Sequence, residues 1–264
     1  MPIIRTIFKN EFTLSNIPDY TCPTCKKSLL NKDENNFNLY ESSTSLSLKN
    51  HEAWEPDWMY GSFLGLLKCN NISCSEVVII TGNYKSFEYE EYDEISNTPC
   101  LDVGNLLTPT FFNPAIQLFQ LNENIPEAIS EEIKESFKLY WTDSSSCANK
   151  VRKVIELIMD NLKIPKTHLK SKKRVRYSLH QRIENFKIKN HNQGELLMAI
   201  KWIGNSGSHS SDKISHDDLL DSYEILELLT EKLYGKHLQH IEKISKDINK
   251  KKKPLSQTKI KINQ

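Results

Sequence analysis

Two close cysteine pairs carry the plainest chemistry in the sequence. Cys22-Pro-Thr-Cys25 and Cys69-Asn-Asn-Ile-Ser-Cys74 each place two thiols a short turn apart. A thiolate pair at that spacing wraps one side of a tetrahedral ion, because the turn aims both sulfurs and some backbone amides inward. Two such pairs close the coordination sphere and leave no position for a substrate. The expected cofactor is therefore a structural zinc at Cys22, Cys25, Cys69 and Cys74, holding together a module too small to fold well on its own core. A redox pair at Cys22 and Cys25 would need a helix directly after it within a βαβ unit. Lys26-Lys27-Ser28 leads instead into an asparagine-rich stretch that reads as a loop. Because 43 residues separate Cys25 from Cys69, an insertion must lie between the knuckles. His51 falls in it and reads as a solvated loop histidine ahead of a substitute ligand. Cys100 and Cys147 have no partner at metal spacing and read as buried small apolar residues.

A second set of polar residues surrounds AIKWIGNSGSH, residues 199–209. An apolar helical run meets Gly204, which permits a close backbone approach or a left-handed turn, and Asn205, which can bond the freed backbone. Gly207 and Ser208 let the chain reverse, so His209 is expected to be held at a helix end. The plainer alternative is that Asn205 and His209 only satisfy helix-end amides and carbonyls. Upstream, Asn149, Arg152 and Glu156 fall at i, i+3 and i+7, one polar line beside an apolar stripe. Arg152 and Glu156 make either a simple i, i+4 ion pair or part of a site facing the 204–209 turn.

The elements that must position these residues change character along the chain. The first hundred residues are β-prone and loop-rich, with FLGLLKC (63–69) and VVIITG (77–82) reading as strands. Trp54, Trp58, Tyr60 and Phe63 read as packing for this module ahead of a base-stacking surface. Residues 97–114 hold three prolines and no helical period, and read as a linker or crossing segment. From Pro126 onward the period is near 3.6. One apolar stripe is Ile129, Ile133, Phe137 and Tyr140. A second, after a start signal at Asp143–Ser146, is Ala148, Val151, Ile155, Ile158 and Leu162. Shorter helices are expected around Val175–Phe186 and Glu195–Ile203. A last strong one begins at the capping-box pair Ser215 and Asp218, carries Leu219, Tyr223, Leu226, Leu229 and Leu233, and stops at Gly235. The fold class expected is α+β: a small β-rich zinc-ribbon-like module (1–110), then an all-α up-and-down bundle of about five helices (126–249), then a lysine-rich tail (250–264).

Bulk composition is that of a folded globular chain, with 38% hydrophobic and 26% charged residues and a net charge of +1. Charge is unevenly placed. Residues 166–182 carry Lys166, Lys170, Lys172, Lys173, Arg174, Arg176 and Arg182 with no acid, whereas Glu88, Glu90, Glu91, Asp93 and Glu94 cluster upstream. Such runs are usually solvated faces, yet the basic one would attract a nucleic-acid backbone in a salt-dependent way. No window approaches the 18 apolar residues of a membrane span, and MPIIRTIFKNEF lacks a signal peptide's apolar centre, so a cytoplasmic location without membrane contact is expected.

The runs ANKVRKVIELIMDNLKIP (148–165), SLHQRIENFK (178–187), ELLMAIKWIGNSGSH (195–209) and DDLLDSYEILELLTEKLY (217–234) resemble a prokaryotic domain-of-unknown-function family. That family joins a cysteine-knuckle module to a helical domain similar to the HEPN superfamily. The resemblance covers about Thr21 to Tyr234, and its most specific piece is Lys201–His209. It implies an up-and-down bundle that commonly dimerises. Many such domains are metal-independent ribonucleases, others bind nucleotides or proteins, and members occur in toxin, RNA-processing and anti-phage defence systems.

Catalytic members carry an arginine, a polar residue, four to six residues and a histidine. Here lysine replaces the arginine and seven residues separate Lys201 from His209. Cleaving RNA without a metal needs a base, an acid and a fixed positive charge on the phosphorane, and lysine is a poorer clamp than arginine's planar fork. The leading expectation is therefore a non-catalytic HEPN-like module. It would bind nucleic acid (RNA ahead of DNA), a nucleotide or a partner protein of a defence or modification system, as a homodimer. The alternative is a ribonuclease with His209 as acid or base, Lys201 and Arg152 on phosphate, Asn205 positioning and Glu156 orienting. A third reading is an oligomerisation scaffold alone. Lys170, Lys172, Lys173, Arg174, Arg176 and Arg182 are the expected backbone contacts.

Overall fold

The computed structural model describes residues 3–8, 10–93, 98–206 and 214–255. Its N-terminal half is a five-stranded antiparallel sheet in the order β1-β5-β4-β3-β2. The strands are β1 (Phe12–Thr13), β2 (Leu30–Glu41), β3 (Tyr60–Cys69), β4 (Val77–Asp93) and β5 (Thr98–Asn113), with a short helix α1 (Ser43–Leu48) between β2 and β3. Strand β3 shows why one face is covered: Phe63, Leu67 and Cys69 are buried while Leu64 and Lys68 between them are exposed, the period-2 alternation of a sheet with one dry side. Phe37 stacks on Phe63 with ring centroids 5.5 Å apart. Its ring lies over Gly65, where an added Cβ would fall 2.2 Å from it, so only glycine leaves room at that position.

Two segments depart from the sequence reading. The asparagine-rich stretch after the first knuckle is strand β2, not a loop. It is an edge strand, so polar side chains face water there without cost and hide the alternation. Residues 98–113 are strand β5, not a linker. Pro109 stands at the register shift opposite Gly82, where the ladder skips a residue and a missing N–H costs little. The upper part of the β4–β5 hairpin extends beyond the core, so Glu88, Glu90 and Glu91 are exposed. Cys100 is exposed there too, against the expectation of burial.

The C-terminal half is helical: α2 (Glu127–Leu139), α3 (Ser144–Asn161), α4 (Leu179–Lys187), α5 (His191–Ser206), α6 (His216–Tyr234) and α7 (Lys236–Lys251). Ile129, Ile133, Phe137 and Tyr140, then Ala148, Val151, Ile155 and Ile158, then Leu219, Tyr223, Leu226 and Leu229 are all buried, so the three long stripes form the core. Asp143 caps α3 through the Ser146 amide, and Ser215 and Asp218 form the capping box of α6. Helix α5 runs on through Gly204 to Ser206 instead of ending near Ile203.

Between α3 and α4 the chain makes a feature absent from the sequence reading, a two-stranded antiparallel ribbon of β6 (Thr167–Lys170) and β7 (Lys173–Arg176). Residues 173–176 are thus strand, and the helix expected from Val175 begins at Leu179 behind its own capping box, Ser178 with Gln181.

Sheet and helices share one core. Tyr20 meets Phe112 and Trp141 edge-on, and the Tyr140 hydroxyl donates to the Phe8 carbonyl at 3.1 Å. Cys147 is buried as expected, though not among purely apolar groups. Its thiol lies 3.0 Å from the Tyr223 hydroxyl, which donates to Ser136 Oγ at 2.8 Å. No described helix is long and apolar enough to cross a membrane.

Candidate metal centre and anion site

The two cysteine pairs are built alike. In each, the first cysteine's amide closes the turn, Cys22 N to Ser28 O and Cys69 N to Glu76 O, both 2.8 Å. In each, the residue after the second cysteine takes the left-handed conformation, Lys26 at φ 58° and Ser75 at φ 51°, which turns the chain back around the thiols. The 43-residue gap is bridged by the β2–β3 hairpin itself. Its base pairs Leu30 with Cys69, and the Asn70 amide donates to Leu29 O, which sets one knuckle beside the other.

The four Sγ atoms all lie within 4.8 Å of one another. Cys22 to Cys74 is 3.8 Å and Cys25 to Cys69 is 3.7 Å. Those separations exclude disulfides, whose sulfurs are about 2.05 Å apart. They match the edge of about 3.8 Å in a thiolate tetrahedron with metal–sulfur bonds of about 2.3 Å. The cluster can therefore chelate a metal ion. The Lys27 amide draws the Cys25 thiol down to about 6, whereas burial pushes Cys69 up to about 12; a cation among the sulfurs would favour the thiolate form of all four. His51 is exposed and its Nδ1 accepts from the Ala53 amide, so it is a loop histidine. Trp54 and Trp58 are half-buried, Tyr60 is exposed and Phe63 is core.

The second constellation is assembled where α3 passes α5. Gly204 makes that crossing close: a Cβ there would stand 3.0 Å from Arg152 Cβ and 3.3 Å from the Ala148 carbonyl oxygen. One turn before it on α5, Lys201 is only 7% exposed. Its Nζ sits 3.3 Å from the ring centroid of Trp202, which is itself 55% exposed. The amine is therefore covered rather than deep, just under the surface. Burial, and then the positive charge of Arg152, lower its pKa. Among the described residues neither Lys201 nor Arg152 has an acidic partner. Asn205 is half-buried on the next turn of α5.

Arg152 is near enough for its charge to act on Lys201, while Glu156 is exposed and makes no ion pair with Arg152 among the described residues. His209 lies outside the described residues. Asn149 is exposed on the same helix as Arg152.

Of the six expected backbone contacts, Lys170, Lys172, Lys173, Arg174 and Arg176 are exposed on the ribbon. Arg182 is not available. It is 6% exposed, donates to Asp160 Oδ1 at 2.7 Å and to the Ile164 carbonyl at 3.1 Å, and holds α4 to the end of α3. Asp160 also takes Lys166 Nζ at 2.7 Å, so one carboxylate grips the chain on both sides of the ribbon. Sequence reasoning missed this anchor. The ribbon itself left a signal, two short runs carrying Leu169 and Val175 on either side of Ser171-Lys172, which the lysine and arginine density masked.

A cleft of about 920 Å³ lies elsewhere, between the first knuckle, residues 120–124, α6 and the start of α7. Glu123, Glu224, Glu227 and Glu231 outnumber Lys26 and Lys236 in its lining, a net charge that disfavours a phosphate.

Residues 10–112 match the family model of a domain of unknown function (DUF8608), and residues 134–258 match that of a second one (DUF4145). Comparison with curated proteins and with solved structures gave no match.

Proposed function

We propose that this chain is a nucleic-acid-binding protein whose helical half, read as HEPN-like, takes a phosphate at Lys201 and Arg152. In the same reading the sheet is stapled by zinc at Cys22, Cys25, Cys69 and Cys74. The observation that supports the binding site is a nearly buried Lys201 that feels the positive charge of Arg152, with no acidic partner for either among the described residues. Covering a charge and setting a like charge next to it both cost stability. An anion entering beside them offsets both costs. Arginine's planar fork and lysine's point charge are complementary tools for a phosphate, one fixing orientation and the other adding attraction.

The proposal stops at binding. A cleaving site needs a group to move protons, and the carboxylate expected to orient one, Glu156, is exposed and unpaired with Arg152.

Fluorescence anisotropy with labelled oligonucleotides tests the reading. A charge-assisted hydrogen bond contributes about 1.5–3 kcal/mol, so Lys201→Met and Arg152→Gln should each bind about 10- to 100-fold more weakly at unchanged helicity. Affinities equal to the unsubstituted protein in both variants would refute it.

A further inference from the structure

The ribbon is a cationic feature that the Lys201 site does not use. In its antiparallel register Leu169 faces Arg174, Thr167 faces Arg176, and Lys170 faces Lys173. Directly opposed residues share a face and successive residues alternate, so Arg174 and Arg176 project from one side, and Lys170 and Lys173 from the other. All four are exposed. Ser171 and Lys172 form the two-residue turn, both at positive φ, 49° and 65°, the twist that suits a tight hairpin.

This charge arrangement works against folding. Lys170 and Lys173 set like charges directly opposite, which weakens a strand pair, and a two-stranded ribbon is marginal by itself. No acid occurs in residues 166–182 to relieve it. The ribbon's root is tied by Asp160, which pairs with Lys166 and Arg182, by the Tyr177 amide donating to the Lys166 carbonyl, and by the stack of His168 on Tyr177. An element with cations on both faces, held at its root, is complementary to a partner that presents negative charge on two sides at once.

We infer that the β6–β7 ribbon enters the major groove of B-form duplex DNA, with Arg174 and Arg176 toward one strand's phosphates and Lys170 and Lys173 toward the other's. The dimensions agree. Strands of four residues span about 10 Å from first to last Cα at about 3.4 Å per residue, enough to reach the floor of a groove about 8.5 Å deep and about 12 Å wide, which admits a two-stranded ribbon. The major groove of A-form RNA is too narrow for side chains to read. A single strand, an anionic membrane or an acidic protein surface offers charge from one side and would engage one face. The inference deepens the nucleic-acid reading by naming the duplex, and departs from the RNA preference that the HEPN resemblance implies. Because it rests on other residues than Lys201, the two can fail separately.

The experiment uses the full chain with a labelled 20-base-pair DNA, the same sequence as duplex RNA, and one of its single DNA strands. DNA binding is expected to be at least tenfold tighter than either alternative. Arg174→Gln/Arg176→Gln and Lys170→Gln/Lys173→Gln should each weaken it about tenfold or more and reduce the slope of log affinity against log salt by about two. The unsubstituted protein should also protect guanine N7 from methylation, a readout that needs no variant. Equal binding to RNA or single strands, loss in only one of the two double variants, no loss in either, or unprotected N7 would each overturn the inference. If Lys201→Met abolishes binding while both ribbon variants bind normally, the ribbon inference alone falls; if no nucleic acid binds, the proposed function falls with it.

Discussion

Leu30 pairs directly with Cys69 at the base of the β2–β3 hairpin. That single register contact explains how cysteines so far apart in sequence share one cluster: the intervening chain leaves and returns at the same point. Sheet topology and the thiol cluster are therefore coupled, since whatever separates the knuckles also opens the hairpin.

One tightly held zinc per chain is expected. Chelation, or Cys69→Ala, should lower the melting temperature and loosen the sheet more than the helices, because metal binding of this kind is folding free energy. Metal analysis with hydrogen exchange of β2 and β3 amides checks it. A metal-free protein with fully protected β2 and β3 amides would show that the thiols pack without an ion.

Removing Asp160 should cost more than removing Arg182. Asp160→Asn leaves a buried guanidinium without its anion, a loss of about 3–5 kcal/mol. Arg182→Met leaves Asp160 still paired with Lys166 and partly solvated, about 1–2 kcal/mol. Denaturant titration of both variants gives the comparison, and the reverse order would mean that Arg182 holds α4 mainly through the Ile164 carbonyl and its own packing and not through Asp160.

The same carboxylate gives a pH signature. Burial pushes Asp160 up, but Lys166 and Arg182 outweigh it and its pKa falls below the ordinary value. A depressed carboxylate supplies stability above its unfolded pKa, near 3.9, and loses it as pH falls from there through the folded value. Acid unfolding of Asp160→Asn should therefore be shallower over that range than in the unsubstituted protein.

Gly204→Val should force α3 and α5 apart, since even a Cβ stands 3.0 Å from Arg152 Cβ. Overpacking of this kind costs about 1–3 kcal/mol. It should also weaken oligonucleotide binding, because Arg152 is the atom's nearest neighbour. A variant with normal stability and binding would mean that the crossing is looser than described.

The long helices were legible because three wide apolar stripes at a 3.6-residue period admit no other reading, and their caps at Asp143 and Ser215 are local signals. The four thiols were legible from spacing alone. Strand β2 was hidden because an edge strand tolerates polar residues, and β5 because Pro99, Pro109 and Pro114 resemble loop punctuation until a register shift accommodates one of them. The ribbon was hidden by its own charge, and Arg182 looked like part of that charge because no local pattern reveals a partner as distant as Asp160. Lys201 and Arg152 lie where α5 crosses α3, while the i, i+4 spacing of Arg152 and Glu156 does not by itself make an ion pair, because both side chains can reach water on the exposed side of α3.

Lys201 distinguishes a binding site from a packing accident. A lysine whose pKa is lowered on folding weakens the native state below that pKa, and the penalty fades as pH rises from the folded value toward the unfolded one, near 10.4. The measurement that tests the account most directly is the thermal midpoint of the unsubstituted protein and Lys201→Met, each with and without saturating oligonucleotide near neutral pH. The account predicts that the free variant melts higher than the free unsubstituted protein, and that the oligonucleotide raises the midpoint of the unsubstituted protein far more. A variant that melts lower when free, yet gains as much from the oligonucleotide, would contradict it.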